Sequence, residues 1–210
     1  MKRSVLIVAE GEHELSGGTT DAALPILVRR LLGDDIDLRP TTKRIRELSG
    51  HMHPGKGDHL SRKFVGIIRW AERLGYDAVV ILIDQDDNPS RHKSASIAQE
   101  TTFTPFPRAI GIAVRSFDAW FLADHAALSQ VLGTKVQMQP DPEKHNDPKL
   151  ACHGLTAFTS NEFRMRDVYS MAAAIVDLDL IRKRCPKGFG IFAGRVALLG
   201  LDWSNTMPHS

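Results

Sequence analysis

The 210 residues are 42% hydrophobic and 25% charged, with a formal net charge of +2, a balance that suits one globular domain with a sizeable core and excludes an extended disordered chain. So mild a charge makes no case for nucleic acid by itself, and any such argument has to rest on local clusters. No apolar stretch reaches the roughly 20 residues that span a bilayer, and the start lacks the long apolar region and cleavage site of a secretory signal, so the expectation is a cytosolic protein with no membrane partner.

Residues 4–9, SVLIVA, form a continuous apolar run, the mark of a strand covered on both faces, as in a parallel sheet flanked by helices. The run stops at Glu10, with Gly11 directly behind it. A glycine-containing loop over 11–18 leads to Thr19 or Thr20, either of which can cap a helix over 21–32. In that helix Ala23, Leu24, Leu27, Leu31 and Leu32 recur at helical spacing, Pro25 falls near the first turn, and Gly33 ends it. A short strand is expected over 36–40, then a polar, basic and histidine-bearing loop over 41–57, then a helix over 58–74 closed by Gly75.

The best-defined strand lies in YDAVVILIDQDD, where 78–83 are apolar and the run breaks at Asp84, Gln85, Asp86 and Asp87. A short helix over 94–100 and a further buried strand over 109–114 (AIGIAV) follow. Residues 117–132 read as one helix carrying Trp120, Phe121, Leu122 and Leu128, with Trp120 and Phe121 as core. MQPDPEKHNDPK is a proline-broken loop, and further helices are expected over 147–155, 166–184 and 189–199, before a loose tail. Strands alternating with helices predict a doubly wound α/β core over 1–125, with a helical C-terminal cap over 126–210 packed on it. Cys152 and Cys185 are far apart and in no CxxC pair, so free structural thiols are expected.

The chemistry lies in the placement of the acids. In a parallel sheet the residues just past the C-terminal strand ends gather along one edge, where open α/β sheets bind ligands. Glu10 ends the first strand, and Asp84 and Asp86 end the strong central one. If those strands are neighbours, three carboxylates crowd one crevice, which is unfavourable unless a proton or a cation relieves it. Mg²⁺ is suited to that role, since it takes oxygen ligands and is held by one or two carboxylates plus substrate phosphates. In an extended chain Asp84 and Asp86 point to the same side and Gln85 away, which makes Asp87 the weaker ligand candidate.

A Glu-Gly pair closing the first strand, followed by an Asp-x-Asp closing the third, resembles the TOPRIM domain of topoisomerases, bacterial primases and OLD-type nucleases. GYDAVVILIDQDD, SFDAWFLAD (116–124), DPK (147–149) and CPKGFGIF further resemble a TOPRIM-like bacterial family of similar length, across nearly the whole chain. TOPRIM proteins often carry another acid soon after the first Glu-Gly, for which Glu12, Glu14 and Asp21 all compete. The position before Ala119 is more often glutamate in that family, and here it is Asp118.

The resemblance implies a TOPRIM-like fold and Mg²⁺- or Mn²⁺-dependent phosphodiester hydrolysis, a nuclease within a bacterial defence module. Asp84 and Asp86 would hold the metal, and Glu10 would complete the site or act as general base. Candidates to grip a nucleic-acid backbone are Lys43, Arg44, Arg46, Lys56, Arg62, Lys63, Arg91, His92 and Lys93, with Lys56, Arg62, Arg91 and Lys93 foremost. Two other readings stand beside this one. A non-catalytic TOPRIM-like subunit would bind nucleic acid or a partner ATPase, and a nucleotide-sugar transferase would use Asp-x-Asp for its metal but give Glu10 no role.

Each feature also has a plainer meaning. Asp84, Asp86 and Asp87 can cap a turn, Glu10 can be a solvated loop acid, and the basic clusters can be solvated faces. His51, His53 and His59 lack the helical register or nearby cysteine of a zinc site. Cys152 and His153, adjacent in the chain, seldom face each other as a nucleophile pair would, and GKGD lacks the glycine spacing and the Ser or Thr of a P-loop.

Overall fold

The structure, a computed structural model, describes residues 2–11, 14–15, 22–33, 37–48, 50, 57–102, 104–156 and 164–205. Its sheet has four strands, β1 (Lys2–Ala9), β2 (Asp37–Arg44), β3 (Ala78–Asp84) and β4 (Arg108–Ala113), all parallel and in the order β2-β1-β3-β4. Helix α1 (Ala23–Leu32) joins β1 to β2, α2 (His59–Arg73) joins β2 to β3, and α3 (Ser90–Gln99) joins β3 to β4.

The apolar runs explain the burial. Val5, Ile7, Ala9, Val80 and Leu82 face the layer containing α1, while Leu6, Val8, Val79, Ile81 and Ile83 face the layer containing α2 and α3, as the two-residue period of a strand requires. The first crossover runs from β1 to β2, and the later ones step the other way to β3 and β4. Right-handed connections in opposite directions must lie on opposite faces, and they do. The reversal falls between β1 and β3, which makes their C-terminal ends the switch point of the sheet.

The later helices are α4 (Asp118–Leu122), α5 (His125–Leu132), α6 (Pro148–Thr156), α7 (Met165–Ile175), α8 (Leu178–Arg184) and α9 (Ile191–Asn205). They add to the α1 layer: α7 packs on α1, and α9 packs on β4. A Cβ at Gly111 in β4 would lie 2.5 Å from the Phe192 ring, so the absence of a side chain there is what lets α9 settle on the strand. Trp120, Phe121, Tyr169, Phe189 and Phe192 are fully buried between these elements. Phe121 stacks on Tyr169 at 4.5 Å, and Trp120 meets Phe189 edge-on at 5.0 Å. Cys152 and Cys185 are free and buried, and burial pushes both thiols up, as expected of inert structural cysteines.

Several boundaries differ from the sequence expectation, among them the start of α3 at Ser90 rather than 94 and of α1 at Ala23, with Ala22 at its N-cap and Thr19 and Thr20 outside the described residues. Strand β2 runs on through Lys43 and Arg44, because Pro40 sits on an edge strand hydrogen-bonded on one side only. Residues 117–132 form two helices, since the Asp124 side chain accepts from Ala127 N at 3.0 Å and from Asp177 N at 2.9 Å. Residues 166–184 likewise divide at Asp177, whose carboxylate caps α8 through Asp179 N and Leu180 N. A π-helical turn, Pro186–Gly190, precedes α9. Among the described residues, no helix is long and apolar enough to cross a membrane.

Candidate active site at the switch point

Register places the first two acids side by side. Ala9 of β1 lies opposite Leu82 of β3, so Glu10 stands level with Ile83, one residue short of Asp84. The Asp84 carboxylate turns inward and accepts from Phe117 N at 2.8 Å. Burial, then the negative field of Glu14, with Asp118 and Asp86 adding, pushes it up from 3.8 to about 8 against that hydrogen bond.

Glu14, only 6% exposed, is the second inner acid. Burial above all, with the fields of Asp118 and Glu10, pushes it up to about 7, opposed by its own backbone and by Lys149. Its Oε2 has no hydrogen-bond partner among the described residues. A Cβ on Gly11 would lie 2.5 Å from that oxygen, so the Glu14 carboxylate rests in the space beside this glycine. Asp118, also 6% exposed, accepts a short hydrogen bond from the Tyr169 hydroxyl. Three acids from three segments thus share one buried neighbourhood.

The outer acids are arranged differently. Arg91 Nη1 lies 3.1 Å from Glu10 Oε2 and 2.9 Å from Asp86 Oδ2, and also donates to the Asp84 carbonyl at 2.5 Å. Asp86 has φ +48, so the chain is no longer extended there and the expected same-side pairing with Asp84 does not hold. Asp84 faces inward and Asp86 faces Arg91. Asp87, almost wholly exposed, pairs with Arg115 at 2.9 Å. Among the described residues Asp86 and Arg115 are the two non-glycines with left-handed backbone, joined by Asp86 N donating to the Arg115 carbonyl at 3.1 Å. Such strain clusters at functional sites.

The foremost candidate phosphate ligands are scattered. Arg91 is committed to the acids, Lys93 is exposed on α3, and Arg62 is half-buried on α2. Lys56, with His51, His53, Glu12 and Asp21, lies outside the described residues. His92 bonds Gln85 at 3.0 Å, and Arg44 pairs with Glu47 at 2.7 Å. Arg115 and Lys149, which sequence reasoning did not select as phosphate ligands, line a cavity of about 220 Å³ together with Asp84, Asp86, Asp87, Ser116, Asn146, Asp147 and Pro148. The only sequence signal for them was the DPK segment.

Among the described residues, no three His, Cys, Asp or Glu side chains stand ready to share an ion. The crowding is relieved in two other ways, by the Arg91 guanidinium outside and by retained protons inside. The donor set nevertheless fits a hard cation. It is all oxygen, and it includes a buried carboxylate oxygen that lacks a hydrogen bond. Fold and site together define an open α/β domain with an acidic crevice at its switch point. No family profile, curated protein or solved structure matches the chain.

Proposed function

We propose that the chain is a Mg²⁺- or Mn²⁺-dependent phosphodiester hydrolase of TOPRIM type acting on nucleic acid, with Glu10, Asp84 and Asp86 at its centre and Glu14 and Asp118 behind them. The observation that carries this reading is the burial near the switch point of Asp84, Glu14 and Asp118, close enough for their charges to act on one another, with one Glu14 carboxylate oxygen lacking a hydrogen bond. A bound divalent ion would supply Lewis acidity and an acidified water there. Asp84 would hold it, with Glu14 a further oxygen donor, and Asp86 would have to exchange its Arg91 partner for the ion. Arg115 and Lys149, on the cavity wall, would hold a phosphate against the acids, Arg115 in exchange for its Asp87 partner. Glu14, pushed up to about 7, can accept a proton near neutral pH, and Glu10 stands at the more open rim.

A second reading has its own support. Because Arg91 already neutralises Glu10 and Asp86, the site is also consistent with a non-catalytic subunit that binds nucleic acid or a partner ATPase, as in a bacterial defence module. Labelled DNA and RNA, incubated with Mg²⁺ or Mn²⁺, separate the two. Hydrolysis is expected from the native chain and a loss of about a hundredfold or more from Asp84→Ala and Glu10→Ala. Equal cleavage by all three proteins would identify a contaminant, and cleavage by none would favour the binding role.

A further inference from the structure

Beside the acidic cavity lies a second one, of about 440 Å³ and opposite character. Val114, just past β4, lines it, whereas the next residue, Arg115, lines the first. The proline-broken stretch walls both cavities: Pro140, Asp141, Glu143 and Lys144 border the second and residues 146–149 the first. His145, between them, gives its carbonyl to Arg115 Nε at 3.2 Å. The two linings thus meet in the chain at Val114–Arg115 and on either side of His145.

The first cavity sets four aspartates against Arg115 and Lys149. The second sets Lys144, Lys183, Arg184 and Lys187 against two acids, both already engaged: Asp141 pairs with Lys144 at 2.6 Å, and Glu143 accepts from Lys187 N at 3.2 Å and Gly188 N at 2.6 Å. Arg184 belongs to the wall, its guanidinium held by the carbonyls of Ala123 and Gln139. The three lysines are exposed, and among the described residues neither Lys183 nor Lys187 is in a salt bridge. The positive field of Lys187 also reaches His92, which follows Arg91 on α3, so the basic cavity adjoins the acidic crevice from that side too.

We propose that this second cavity is a subsite for the backbone phosphates of a polynucleotide that flank the bond offered to the acidic cavity. The proposal rests on the hydrolase reading above and narrows its substrate class: an extended chain, rather than a mononucleotide or a small phosphodiester, bridges the Arg115–His145 divide. An acidic cavity takes the bond together with its metal, and a basic one beside it takes the next phosphates, which have no metal to neutralise them.

The test is binding in EDTA, so that cleavage plays no part. A Lys144→Gln/Lys183→Gln/Lys187→Gln variant changes exposed side chains only, and an unchanged thermal midpoint confirms its fold. Its affinity for a labelled single-stranded oligonucleotide is expected to fall by about tenfold, with the slope of log affinity against log salt smaller by about 2, while a mononucleotide binds as before. Unchanged oligonucleotide affinity and slope, no oligonucleotide binding by the native chain, or an equal loss for the mononucleotide would each overturn the subsite. Hydrolysis of bis(p-nitrophenyl) phosphate, abolished by Asp84→Ala, reports separately on the acidic centre. It can persist when the subsite idea has failed.

Discussion

The outer pair, Glu10 and Asp86, and the inner trio, Glu14, Asp84 and Asp118, bear the same charge within one crevice yet are made tolerable by different means. Outside, where Asp86 is more than half exposed, a single guanidinium bridges the two carboxylates. Inside, no arginine among the described residues pairs with their carboxylates, and burial raises the proton affinity of Asp84 and Glu14 until a proton does the work of a counterion. Solvent access therefore decides whether like charges are reconciled by pairing or by neutralisation. Pairing leaves a charged surface that salt can screen, whereas neutralisation leaves a dependence on pH.

The largest test of this contrast is the stability of the metal-free chain against pH. An Asp in the unfolded chain has lost its proton above about pH 4, whereas Asp84 in the folded chain holds its proton up to about 8. Between those values the folded state binds the extra proton, so raising the pH favours unfolding, by about 1.4 kcal/mol per pH unit for each proton released. With coupling among the acids, urea melts in EDTA should show a loss on the order of 2 to 4 kcal/mol between about pH 5 and pH 8. Asp84→Asn should remove most of that slope. A flat profile in the native chain would break the distinction between the two groups.

A smaller effect belongs to the hydrogen bond that satisfies Asp118. Tyr169→Phe leaves the ring stacked on Phe121 but strips a buried carboxylate of its donor, with an expected loss of about 1 to 3 kcal/mol in chemical denaturation. On the outer side, Arg91→Ala should lower stability by no more than about 1 kcal/mol, and by less in high salt, because the partners are solvent-accessible. A salt-insensitive loss there would mean that the pair behaves like the buried trio. Least of all, Asp87→Ala should leave the thermal midpoint and any hydrolysis unchanged, since its carboxylate is almost wholly exposed and Arg115 keeps its bond to the His145 carbonyl.

Much of the framework is legible in the sequence because its signal is local. Val5 to Ala9 and Ala78 to Ile83 are uninterrupted apolar runs, and only a strand buried on both faces has that need. Asp58 before α2, whose side chain accepts from Leu60 N and Ser61 N, is another local sign. The helix breaks at Asp124 and Asp177 were missed because the apolar pattern continues on either side of these capping aspartates, and because the bond that ties the two together joins residues 53 apart.

The site divides the same way. Glu10 and Asp84 announce themselves by ending apolar runs. The burial of Glu14 beside Gly11 depends on the return of α1, and Glu12 and Asp21 look equally suitable from the sequence. Arg91 reads as a phosphate ligand in a basic cluster. Its commitment to Glu10, 81 residues away, follows only from the pairing of β1 with β3.

The close seating of Phe192 over Gly111 fixes an order of events in biosynthesis. The strands and α1 leave the ribosome before α9, the helix that covers β4. Until it emerges, the apolar face of an edge strand stays open to water and to other nascent chains. Lys183, on α8, and Lys187, in the turn before α9, also follow β4 in the chain, so a chain stalled before them would present a sticky sheet and lack part of its basic cavity.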